Sequence, residues 1–90
     1  MTRRLDRRKV LYGAPRLSDT QVKTLQVLAE YTSLPQASVD RAFVKTLGGN
    51  PASLDFLQRE LLAREVDPGF WRITPQGLEL LRDIEEAAND

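Results

Sequence analysis

Apolar residues recur every three or four positions along most of the chain, and the recurrences predict four helices. Val22, Leu25, Leu28 and Ala29 make one such stripe and predict a helix from Asp19 to about Tyr31. Its start is written locally: Ser18 stands as N-cap, Gln21 completes a capping box, and Leu17 and Val22 sit where a hydrophobic staple closes. After Leu34-Pro35, a pair that suits the entry to a first helical turn, Val39, Ala42, Phe43 and Leu47 predict a second helix from about Gln36 to Leu47. Gly48 and Gly49 supply the left-handed termination that residues with a Cβ resist. Asn50 and Pro51 then read as N-cap and first residue of a third helix reaching about Ala63, with Leu54, Leu57 and Leu61 on its core face.

The period changes to two at Arg64-Glu65-Val66 and Phe70-Trp71-Arg72-Ile73, short strands around Asp67-Pro68-Gly69. Phe70 and Trp71 must face opposite sides, so at least one belongs to the core. Thr74-Pro75 opens a last helix with the stripe Leu80, Leu81, Ile84, Ala87 and Ala88, which either packs on the first helix or forms a homodimer interface. Only Gly48, Gly49 and Asn50 join the second and third helices, the sequence form of a helix-turn-helix.

With the run Gly69-Phe70-Trp71-Arg72-Ile73-Thr74-Pro75-Gln76-Gly77-Leu78, the chain resembles the winged-helix superfamily over about Leu17 to Ile84, particularly bacterial regulators of the MarR and PadR kind. The run looks like their second wing strand leading into "aromatic, x, Ile or Leu, Thr, Pro, x, Gly". Its physical logic stands apart from any family: Ile73 turns inward, Thr74 caps, Pro75 sets the first turn and Gly77 permits close approach. The resemblance implies a mainly α chain with a small β-hairpin, an α+β winged helix-turn-helix ordered helix, helix, helix, hairpin, helix. It also implies a third helix lying in the DNA major groove, braced by the second, with the wing on a minor groove or phosphates. The chain departs from that pattern in its short tip, where Asp67 and Glu65 stand, and in a third helix flanked by Asp55 and Glu60.

Composition narrows the chemistry. The 90 residues include no His and no Cys, which closes the commonest routes to metal binding, thiol chemistry and imidazole catalysis, so no enzyme, metal or cofactor is expected. No apolar run approaches a membrane span or a secretory signal, and the expected location is cytoplasmic. Thirteen cations balance thirteen carboxylates. The balance hides a polarity: residues 1–24 hold seven cations against two carboxylates, net +5, and the remainder is −5. Glu79, Asp83, Glu85, Glu86 and Asp90 against Arg82 alone make the tail its most acidic stretch. Residues 1–16 are read as a flexible basic arm and 17–90 as the domain, with Val10, Leu11 and Tyr12 either lying on the domain or pairing as an edge strand.

Two functional readings follow. In the first, the chain is a small DNA-binding regulator. Asn50, Ser53 and Arg59 face the major groove, Arg41, Lys45 and Arg72 take phosphates, and Arg3, Arg4, Arg7, Arg8 and Lys9 track the duplex backbone. The arm reads equally as a solvated terminus, with an acidic protein partner as a lesser alternative, and Arg41 with Lys45 as a solvated face near Asp40 and Asp55. In the second, the chain is a winged-helix adaptor or inhibitor that binds a protein through Ala52, Phe56 and Ala63 on the exposed side of the third helix. Phe56 has three readings: covered by residues 10–12 or a second subunit, exposed to a protein partner, or touching a base.

Overall fold

The computed structural model of the chain describes residues 17–88, and the arm of residues 1–16 lies outside them. The described residues form an α+β fold of four helices and a three-stranded antiparallel sheet. In chain order these are α1 (Asp19–Thr32), β1 (Val39–Asp40), α2 (Arg41–Thr46), α3 (Ala52–Arg59), β2 (Ala63–Asp67), β3 (Phe70–Ile73) and α4 (Pro75–Ala88). The sheet runs β1-β3-β2. No helix among the described residues is long and apolar enough to cross a membrane.

α1 begins as its sequence dictates. The Gln21 N–H donates to Ser18 Oγ at 3.2 Å and the Ser18 N–H to Gln21 Oε1 at 2.9 Å, satisfying two donors that a bare helix end leaves open. Leu25 and Leu28 are fully buried, with Val22 and Ala29 packed at the core's margin. Val39, Val44, Leu54, Leu57, Leu62, Ala63, Trp71, Ile73, Leu80 and Leu81 complete the core. Trp71 fills it from β3 while Phe70 turns out, as two-residue alternation requires. α4 lays Leu80, Leu81 and Ile84 on the core and meets α1, so most of its stripe is used within the chain.

The second helix is shorter than its pattern predicts. Pro35 opens a turn rather than a helix: the Ala37 N–H donates to Leu34 O at 3.1 Å, and Gln36 has φ +66°. Proline second and a positive φ third is the signature of one β-turn type. Val39 then pairs with Trp71 as a strand, and Asp40 caps α2 by accepting the Ala42 N–H at 2.9 Å. Starting at Arg41 rotates the face, so Val44 is buried where Ala42 and Phe43 were expected, and Phe43 is 57% exposed.

The third helix also stops early, at Arg59 instead of Ala63. Leu61 adopts φ +64°, its N–H donates to Gln58 O at 3.0 Å, and the Leu62 N–H reaches Leu57 O at 2.8 Å. This pairing is a Schellman termination with leucine where glycine is usual. Leu62 therefore takes the core place expected of Leu61, which is 65% exposed, and Ala63 begins β2. At the far end Thr74 accepts the Gly77 N–H at 3.0 Å and donates to Leu61 O at 2.6 Å, tying α4 to the α3–β2 turn. A Cβ on Gly77 would collide with the Leu62 carbonyl and stand 2.8 Å from Ile73 Cγ1.

Candidate nucleic-acid interface

The connection between α2 and α3 is held from below. Gly48, at φ +102°, donates to Lys45 O at 3.1 Å, and the Gly49 N–H to Val44 O at 2.9 Å, closing α2 with the motif that also ends α3. The Asn50 N–H then donates to Oγ1 of the buried Thr24 at 2.9 Å, while that hydroxyl donates to Thr20 O at 2.9 Å. Asn50 Oδ1 accepts the Ala52 N–H at 3.0 Å and caps α3. Thr24 thus fixes the turn to α1, so the setting of α3 against α2 does not rest on the glycines alone. Asn50 is exposed, with its side-chain oxygen committed to the cap and its NH2 as the group it offers a ligand.

Spacing groups the charges of the two helices. Arg41 and Lys45 are four apart on α2, and Asp55 and Arg59 four apart on α3, so each pair shares a face. Arg41 Nη1 lies 3.7 Å from Asp55 Oδ1 and joins the two faces into one strip, Lys45-Arg41-Asp55-Arg59, with net charge +2. The contact is too long for a hydrogen bond and exposed on both sides, hence worth under about 1 kcal/mol. Arg41 is therefore cheaply released to another anion. Glu60, expected to flank the helix, lies beyond its last residue.

Two expected contacts are misplaced. Ser53 is 7% exposed and faces inward, because it stands four residues before Leu57 and shares its side of α3; it cannot read a groove. Ala63 is buried in β2, since α3 has already ended, and it contributes no protein-binding surface. Phe56 packs half-buried against the core. Ala52, Lys45 and Arg59 are exposed as expected. Arg3, Arg4, Arg7, Arg8 and Lys9 lie outside the described residues.

Arg72 is half-exposed on β3 and directly opposite Arg64 on β2, a residue the sequence reading passed over. A β-bulge between Glu65 and Asp67 makes this pairing: regular counting from the Asp67–Phe70 pair at the turn would set Arg64 opposite Ile73, so nothing in the chain announced it. The Glu65 carboxylate accepts the Gly69 N–H at 2.7 Å, which stiffens the tip and turns that charge back on the hairpin.

No family model, curated protein or solved structure matches the chain. The chemistry available to the site is thus that of its own side chains: a cationic strip broken by one carboxylate, beside a helix start presenting Asn50 and Ala52.

Proposed function

We propose that the chain is a small winged helix-turn-helix protein that binds double-stranded DNA and regulates transcription by occupying it. The observation that carries this reading is the strip Lys45-Arg41-Asp55-Arg59 on a helix pair whose turn is anchored by Thr24. Arg41, Lys45 and Arg59 take phosphates, and Asn50 and Ala52 at the start of α3 meet base edges or a thymine methyl. The hairpin after α3 acts as the wing, with Arg72 on phosphate. The arm adds Arg3, Arg4, Arg7, Arg8 and Lys9 along the backbone. For the protein-adaptor reading, Ala63 is buried and Phe56 is partly buried on the core, which leaves Ala52 as its exposed residue.

Fluorescence anisotropy of a labelled mixed-sequence duplex titrated with the full chain tests the proposal. Binding at low salt that weakens steeply as salt is added is expected. A chain that leaves the duplex unbound at low salt refutes it.

A further inference from the structure

The outward face of the sheet takes no part in the helix-turn-helix and carries a pattern of its own. Phe70 and Arg72 alternate with the buried Trp71 and Ile73, so both project away from the core. The register places Arg64 opposite Arg72, and places Phe70 between Asp40 of β1 and Asp67 of β2. Among the described residues neither arginine has an ion-pair partner. Like charges directly opposite on a ladder repel, and an anion held between two guanidinium groups removes that repulsion through charge-assisted hydrogen bonds. Phe70 is 41% exposed, and two residues of strand, about 6.7 Å, separate it from Arg72. The face therefore has an aromatic ring bordered by carboxylates at one end and two unneutralised cations at the other.

We propose that this face binds single-stranded nucleic acid, with Phe70 stacking a base while Arg64 and Arg72 hold the adjoining phosphate. An unpaired base exposes its ring face to Phe70 and its amino groups to the acceptors Asp40 and Asp67. Asp40 caps α2 through one oxygen and keeps the other for this contact. An acidic peptide would satisfy the arginines but brings no base amino groups to Asp40 and Asp67, and a duplex keeps its base faces stacked. The ring face together with its amino donors selects the single strand. The ligand differs from a duplex, and the duplex reading shares only Arg72 with this face, through the wing; Phe70 and Arg64 belong to this face alone, so either reading can hold without the other.

The test compares two labelled strands of about 12 nucleotides, one carrying bases and one abasic throughout, titrated with the full chain at low salt and followed by anisotropy. Arginines of the arm can also stack on bases, so a preference is assigned to the sheet face only where Phe70 variants remove it. The wild-type chain is expected to favour the base-bearing strand by about 5-fold or more. Phe70→Ala should abolish the preference, and Phe70→Leu, which keeps bulk without a flat ring, should do the same if the alanine variant folds poorly. Arg64→Ala with Arg72→Ala should weaken both strands and reduce the slope of log K against log salt by about 1.4. Equal binding of the two strands by the wild-type chain, or a preference that survives Phe70→Leu, overturns the proposal.

Discussion

Replacing Gly77 by alanine strains the junction where β3, the α3–β2 turn and α4 converge. Helix propensity favours the substitution by about 1 kcal/mol, the usual advantage of alanine over glycine. The added methyl, however, would collide with the Leu62 carbonyl and press on Ile73 Cγ1 at 2.8 Å. Neither neighbour can retreat freely: Leu62 O accepts the Thr74 N–H at 3.1 Å, and Ile73 lies in the core. Overpacking of this kind costs about 1–3 kcal/mol, and weakening the Leu62–Thr74 bond adds about 0.5–1.5 kcal/mol. After the propensity gain, the net loss is about 2 kcal/mol, or about 8–16 °C in Tm for a domain of this size. Thermal melts and urea titrations of wild type and Gly77→Ala measure it, with the exposed neighbour Gln76→Ala as a control that should stay within about 0.5 kcal/mol. A Gly77→Ala variant that melts at or above the wild type would refute the close packing of this junction.

Other substitutions probe other joints. Leu61→Gly should raise stability by about 1 kcal/mol, because an L-residue at φ +64° pays a backbone penalty that glycine avoids; a fall in Tm would mean that the exposed leucine contributes packing. Thr24→Val should lose about 1–3 kcal/mol and speed hydrogen exchange at the Asn50 amide, read by NMR, since that amide loses its acceptor; unchanged exchange contradicts the anchoring of the turn. Phe56→Ala should lower the urea midpoint by an amount equivalent to about 1–3 kcal/mol, as expected for a half-buried ring on the core; an unchanged midpoint would return Phe56 to the surface.

Features that depend on a few neighbouring residues were legible in the chain. The Ser18–Gln21 box, the Thr74-Pro75 helix start and the termination at Gly48 each follow from side chains within four residues of one another. What escaped depends on distant partners or on an unusual residue. β1 is two residues long, too short to show a period, and it exists because Val39 finds Trp71 far along the chain. The end of α3 escaped because Leu61 occupies a left-handed position that normally announces itself by glycine. That one displacement moved Leu62 into the core, and took Ala63 into a strand. In the site, Arg41, Lys45 and Arg59 were legible as exposed cations. The inward turn of Ser53 was legible too, from its spacing to Leu57, once the core face is centred on Leu54 and Leu57.

The central claim is that the strip on α2 and α3 meets duplex phosphates, and the dependence of binding on salt measures it most directly. Anisotropy titrations of one mixed-sequence duplex over a range of salt concentrations, with wild type and the Arg41→Ala/Lys45→Ala/Arg59→Ala variant, give two slopes of log K against log salt. If all three cations touch phosphate, the variant binds more weakly and its slope is shallower by about 2.7. Two equal slopes would place the duplex elsewhere on the protein and contradict the account.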